Sequence, residues 1–315
     1  MTEHFIRPDV QAYLDMIKAM SRPAMSDALV AMMRQMPPEM MPSQDLPVGE
    51  LAEIRDFAMP GPAGEIALRL FDVRAEREPG PVVVFFHGGG FVVGSIETHA
   101  ALAAEISRGL DLPVVSVEYR LAPEHKWPAG PDDAEAAARW IAGNGLAALG
   151  RELTGLVLCG DSAGGNLTAV TAMALRDTPA ALPVVLQLAI YPVAGRPGDH
   201  PSYSIFGEGF ALDGNDMAYF DSAYASDKAH WRGSPAGHDL SGMPPAVVVT
   251  AGLDPLRDDG RAYADKLAAA GVPVRYHNFE GTIHGFASYR QHLPSARDDL
   301  AEALDMARAM LRGEE

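Results

Sequence analysis

Short apolar runs recur along this 315-residue chain, VVVFF at 82–86, GLVLC at 155–159 and AVVVT at 246–250, each followed by a stretch with helical spacing. A run with no polar alternation has no face to show to water, so it must be covered on both sides. Parallel neighbours also need a crossover, which a helix supplies. The pattern therefore predicts an α/β fold with a mostly parallel sheet and helices on both faces. The expected strands are 52–58, 65–71, 82–86, 114–118, 155–159, 184–190, 246–250 and 272–279. The expected helices are 98–109, 131–142, 162–175, 257–270 and 296–312, the last with Leu300, Leu304, Ala307 and Leu311 on one face.

Two stretches stand outside this alternation. At the N-terminus Val10, Tyr13, Leu14 and Ile17 follow helical spacing, and a second helix is expected from Ser26 to Met36 before Pro37, Pro38 and Pro42 stop it. Nine of the 15 methionines lie here (Met1, Met16, Met20, Met25, Met32, Met33, Met36, Met40 and Met41), giving an adaptable apolar surface. Those methionines read equally as the core of a helical arm or as a cap over a pocket. Residues 195–233 show no clear strand, and an insertion that long in a compact domain is usually functional. The expected organisation is 1–50 as the N-terminal part of a cap, 51–194 as the first part of a catalytic core, 195–233 as a cap insertion and 234–315 as the rest of the core.

Charge and cysteine content narrow the partners. With 25 Lys+Arg against 42 Asp+Glu the formal charge is −17, which repels nucleic acid and anionic membrane surfaces. A neutral or cationic small substrate is expected instead. Cys159, the single cysteine, has no partner for an intrachain disulfide. The first residues carry charges throughout, without a secretory apolar region, and the apolar stretch 182–194 is broken by Gln187 and too short for a membrane span. A cytoplasmic location without a stable membrane anchor is expected.

The chemistry is written in four places. Gly160-Asp161-Ser162-Ala163-Gly164-Gly165 is a G-x-S-x-G turn between an apolar run and a helical pattern, the context that exposes a serine hydroxyl at the carboxyl edge of a sheet. The helix that follows aims its positive end at Ser162 and favours an oxyanion there. His87-Gly88-Gly89-Gly90 follows VVVFF, and consecutive glycines let peptide N–H groups approach a ligand closely. A dinucleotide fingerprint fails at Val93, and no P-loop is present. Asp254 follows AVVVT, and His284 lies in the glycine-flanked loop Gly281-Thr282-Ile283-His284-Gly285-Phe286. A serine nucleophile needs a base and a group to orient it, and the order Ser162, Asp254, His284 suits an α/β-hydrolase. Asp258 is a rival orienter, ranked lower because it falls a turn inside the next helix; His277 and His292 lack the glycine-flanked loop. No His/Cys/carboxylate grouping has metal-ligand spacing.

HGGGF at 87–91, YRLAPEHKWPA at 119–129, GDSAGGN at 160–166, DPLRD at 254–258 and GTIHGF at 281–286 together resemble the bacterial hormone-sensitive lipase-like (family IV) carboxylesterases. The resemblance implies the α/β-hydrolase fold, an eight-stranded mostly parallel mixed sheet with a helical cap, and cofactor-free hydrolysis of carboxylic esters. By position it makes Ser162 the nucleophile, His284 the base and Asp254 its orienter. It places the oxyanion hole at the amides of Gly88, Gly89 and Ala163, and allows a homodimer through the edge of the last strand. Phe91, Tyr191, Phe206, Phe210, Ile283 and Phe286 are expected to line the pocket for a small-molecule ester of short to medium acyl chain. Two alternatives remain on the same scaffold: a serine amidase or peptidase, and a non-catalytic ligand-binding protein, against which the presence of His284 argues.

Overall fold

The computed structural model describes residues 4–20, 23–36 and 44–314; Met1, Met40, Met41 and the prolines at 37, 38 and 42 lie outside them. Eight strands form one sheet: β1 (Glu53–Gly61), β2 (Gly64–Asp72), β3 (Gly80–Phe86), β4 (Val114–Val117), β5 (Leu153–Asp161), β6 (Val184–Ile190), β7 (Ala246–Leu253) and β8 (Val274–Ile283). Their order is β1-β2-β4-β3-β5-β6-β7-β8. β1 and β2 form an antiparallel hairpin and β2 meets β4 antiparallel, while every later pairing is parallel. The mixed, mostly parallel sheet is the one the apolar runs require.

Nine helices are described: α1 (Pro8–Ala19), α2 (Asp27–Gln35), α3 (Ala100–Leu110), α4 (Ala129–Leu149), α5 (Ala163–Asp177), α6 (Pro201–Ile205), α7 (Gly214–Tyr224), α8 (Arg257–Ala269) and α9 (Ser295–Leu311). They cover both faces, and the core divides accordingly. On one side Val82, Val84 and Leu158 pack with α4, α5 and α8; on the other Val83, Phe85 and Cys159 pack with α3 and α9. Odd and even strand residues go to opposite faces, which is why runs such as VVVFF are apolar throughout. Cys159 is buried and free, a small strand residue.

Two boundaries differ from the expectation in ways that matter for the site. β5 runs on through Gly160 to Asp161 and α5 starts at Ala163, so Ser162 alone makes the strand-to-helix turn. β8 extends to Ile283 rather than ending at 279, and after a register shift past Phe279 it pairs Ile283, the residue before His284, with Leu253. Gly281, at φ 73°, lies in that irregularity, so its signal bends the strand without ending it.

The insertion at 195–233 contains two helices, α6 and α7. Asp213 caps α7 by accepting from the amides of Asn215 and Asp216. α7 meets the N-terminal arm where Tyr219 Oη donates to Asp27 Oδ1 at 2.8 Å. Arg34 of α2 in turn binds the carbonyls of Val92 and Ala122 and the carboxylate of Glu124. Further back, Arg7 reaches the carbonyl of Glu280 (2.8 Å) and Asp299 (2.6 Å), and its amide donates to Gly281 (3.1 Å). The arm is thus tied at one end to the loop after the glycine run and at the other to the end of β8 before His284.

Candidate active site

Ser162 occupies φ 54°, ψ −115°, a backbone state that a non-glycine residue holds only when its surroundings enforce it. The enforcement is visible. The Ser162 amide donates to Ile190 O at 2.8 Å, and Ser162 O accepts from Asn166 (3.2 Å) and Val193 (3.3 Å). Gly164 sits so close to β3 that a Cβ there would lie 1.8 Å from Phe86 O, and one at Gly160 would lie 2.3 Å from Gly164 O. The glycines of the motif are therefore close-approach positions, letting α5 dock against β3 and β5 and turn the serine outward.

His284 Nε2 lies 2.9 Å from Ser162 Oγ, and His284 Nδ1 lies 2.7 Å from Asp254 Oδ2. Asp254 is fully buried at the end of β7, and its other oxygen accepts the Leu256 amide at 2.8 Å. Three residues far apart in sequence thus meet at the carboxyl edge of the sheet. The rival Asp258 faces elsewhere: it accepts the Ser202 amide (2.9 Å) and pairs with Arg257, tying α6 to α8. Asp259 accepts the amides of Ala194 and Gly195, so the same helical turn anchors the start of the insertion. His277 lies against Glu302 and His292 against Tyr13.

The glycine run corrects one expectation. Gly88 does not offer its amide to the site, because that N–H is donated to Asp161 Oδ1 at 2.8 Å. Gly89 and Gly90 follow at φ 116° and 62°, and neither amide donates a hydrogen bond to the described residues; the Gly89 carbonyl accepts from Val92 and Val93. Ala163 presents the first amide of α5, one of the helix-start donors that have no partner within the helix. The available donors are therefore Gly89, Gly90 and Ala163. The placement was not legible because three glycines in a row look alike until one amide is claimed.

Around the turn, Tyr119 Oη donates to His87 O at 2.7 Å and its ring stacks on His87 at 4.4 Å. His87 is fully buried, and burial pushes its pKa down to about 3, so the ring is neutral. Asp161 is buried too. Burial alone would raise its pKa, but His99 and the Gly88 amide outweigh it and hold the carboxyl below the usual range.

The six expected pocket residues divide. Tyr191 is buried with its ring 4.7 Å from that of His284. Phe91 stacks flat on Tyr224 of α7 at 3.8 Å, and the Phe220 ring lies against Gly90, so α7 covers the glycine turn. Phe206 and Phe210 meet edge to face at 5.3 Å, with Arg257 over the Phe206 ring. Ile283 and Phe286 have no exposed surface; Phe286 packs on Tyr191 and Phe279 and supports the His284 loop from behind. Tyr224, Phe220 and Asp161 were not singled out in the sequence. Asp161 could have been found as a charge at the end of a buried strand.

The sheet, the serine turn and the histidine loop are those of an α/β hydrolase, and the alpha/beta hydrolase fold family matches residues 83–288. The chain belongs to that family, in its hormone-sensitive lipase-like branch. It is 39% identical over 274 residues to esterase LipI of Mycobacterium tuberculosis, covering 85% of each chain. To carboxylesterase NlhH of the same organism it is 38% identical over 283 residues, 87% of this chain and 86% of the other. Among solved structures it is similar to an ester hydrolase from the metagenome of Lake Arreo, complexed with a bipyridine phosphonate derivative. Identity is 36% and the TM-score 0.87, covering 96% of this chain and 98% of that one. The hyperthermophilic esterase of Pyrobaculum calidifontis superposes with a TM-score of 0.83 at 34% identity, covering 97% and 98%.

Proposed function

We propose that this protein is a serine carboxylesterase that hydrolyses uncharged esters of short to medium acyl chain through an acyl-enzyme. The observation that carries the reading is the continuous contact from Ser162 Oγ to His284 Nε2 to Asp254, at 2.9 and 2.7 Å, on a strained serine turn. In this mechanism Ser162 Oγ bonds to the ester carbonyl carbon while His284 Nε2 takes its proton. The carbonyl electrons move onto oxygen, where the amides of Gly89, Gly90 and Ala163 hold the developing charge. Collapse breaks the bond to the alcohol, which leaves with the proton from His284. Water then repeats the sequence on the acyl-enzyme and frees the acid. Asp254 keeps the Nδ1 hydrogen in place and stabilises the charged ring.

The names of the relatives support ester rather than amide chemistry, since they are esterases, a carboxylesterase and an ester hydrolase. The net charge of −17 disfavours anionic substrates. Residues 1–50 and 195–233 act as the two parts of a cap, a reading supported by the contacts of α2 and α7 with each other and with the glycine turn. The proposed site of action is the cytoplasm, in keeping with the lack, among the described residues, of a helix long and apolar enough to cross a membrane. Pairing of two copies through the free edge of β8 remains part of the proposal.

The test is Ser162→Ala. The variant is expected to fold, with p-nitrophenyl butyrate turnover reduced at least about 10³-fold and stoichiometric fluorophosphonate labelling lost. Substantial residual turnover would overturn the assignment. A panel of p-nitrophenyl esters from about two to twelve carbons, with matched anilides, measures the chain-length range and separates esterase from amidase.

A further inference from the structure

Behind the glycine turn lies a charged pair that the hydrolytic mechanism does not use. Asp161 Oδ1 accepts a neutral amide, that of Gly88, and a carboxylate buried this deeply needs a counter-charge. No arginine or lysine among the described residues pairs with it; the group facing it is His99, with Nε2 3.7 Å from Oδ1.

The other ring nitrogen faces Thr98. Thr98 Oγ1 gives its single proton to Ser95 O at 3.1 Å and accepts the Ser95 amide at 2.9 Å. Its remaining lone pair faces His99 Nδ1 at 2.9 Å, an arrangement that a hydrogen on Nδ1 satisfies. With Nδ1 protonated and Nε2 turned to a carboxylate, the ring is an imidazolium. Its neighbours agree. His87, 5.3 Å away, is neutral, and Glu118 lies beyond with Oε2 accepting the Ile96 amide. Burial alone would lower the His99 pKa, but Asp161, helped by Asp45, outweighs it and raises the value.

Asp161 is also pressed against the turn: a Cβ on Gly88 would lie 2.4 Å from its Oδ2, so the carboxylate and the peptide move together. The geometry points to His99 as a positioning residue that, as an imidazolium, holds Asp161 and through it the turn bearing the free amides of Gly89 and Gly90. The inference rests on the ester-hydrolysis reading of that turn. It also places a functional demand on a histidine 63 positions from the serine, outside every motif of the catalytic core.

The test has two arms on the full chain. In ¹⁵N-histidine NMR at pH 7.5, with the resonance assigned by its absence in His99→Gln, His99 is expected as an imidazolium in the wild type and as a neutral ring in Asp161→Asn. A neutral His99 in the wild type would overturn the proposal, and if His99→Gln does not fold, backbone-to-ring correlations in the wild type and Asp161→Asn supply the assignment. In kinetics with p-nitrophenyl butyrate, His99→Gln is expected to lower kcat about tenfold or more with KM within about twofold, as for a weakened oxyanion hole. The double variant with Asp161→Asn should be no slower than the slower single one. Wild-type kcat in His99→Gln, or losses that multiply in the double variant, would refute the route through Asp161. If the wild type hydrolysed no ester, the functional reading would fail, while the NMR arm would still report on the charge pair.

Discussion

Asp254→Asn removes one acceptor from a carboxylate that uses both. Oδ1 accepts the Leu256 amide at 2.8 Å and Oδ2 meets His284 Nδ1 at 2.7 Å, with the side chain wholly buried. An amide has one oxygen, so it can satisfy only one of these partners. Turned to keep the Leu256 bond, its NH₂ faces Nδ1, which must give up its hydrogen. The hydrogen moves to Nε2, and Ser162 then faces a donor instead of a base. Turned the other way, the NH₂ meets the Leu256 N–H, leaving buried donors unpaired at a cost of about 1–3 kcal/mol. The first orientation is therefore favoured, and it is the inactive one. Wrong-tautomer triads lose about 10⁴ in kcat, which at about 1.36 kcal/mol per tenfold is about 5.4 kcal/mol of transition-state stabilisation. The assay is initial rate on p-nitrophenyl butyrate. Active sites would be counted by fluorophosphonate labelling, with Asp258→Asn as control. Asp258 serves Ser202 and Arg257, so its variant should keep kcat within about threefold. A loss below about tenfold in Asp254→Asn, or an equal loss in Asp258→Asn, would refute the reasoning.

Gly164→Ala should destabilise the protein by at least about 2 kcal/mol, because the new Cβ falls 1.8 Å from a backbone oxygen that cannot step aside; a Tm within 1 °C of wild type would count against the close-approach account. His87 is neutral in the folded protein, with a pKa of about 3 against 6.5 for the free residue, so the unfolded chain binds the extra proton between those values. Its contribution is present above about pH 6.5 and is lost as pH falls toward 3, by at most about 1.36 kcal/mol per unit. Urea unfolding between pH 7 and 5 should therefore be less pH-dependent in His87→Gln than in the wild type. Arg34→Ala removes the contacts of α2 with Val92, Ala122 and Glu124. Limited proteolysis should then cut within residues 23–36 several-fold faster while the core still melts cooperatively, and unchanged cleavage would show that the arm is held elsewhere.

How much was legible follows the range of the interaction involved. Strand β6 was read to the residue, because its apolar run and bounding turns are local facts. The serine turn was legible for the same reason: Gly160, Ser162 and Gly164 must follow one another for the backbone to turn at all. α6 and α7 were not legible. Their sequence has weak helical periodicity, and what holds them is contact of α6 with Asp258 and of α7 with α2 rather than propensity. The pocket aromatics were legible only as apolar residues near motifs; which ones reach the glycine turn depends on how α7 packs.

From sequence alone the chain must be an α/β protein carrying a serine at the carboxyl edge of its sheet, since apolar periodicity and glycine spacing are properties of neighbours along the backbone. The sequence ranks Asp254 above Asp258, but the tertiary structure supplies the contact of Asp254 with His284, and only it moved the free amides from Gly88 to Gly89 and Gly90. The first is a bond between two side chains 30 residues apart, the second a bond from an amide to a side chain 73 residues away. Such contacts are set by how strands and helices dock, and a linear pattern carries no record of which buried oxygen an amide has already found.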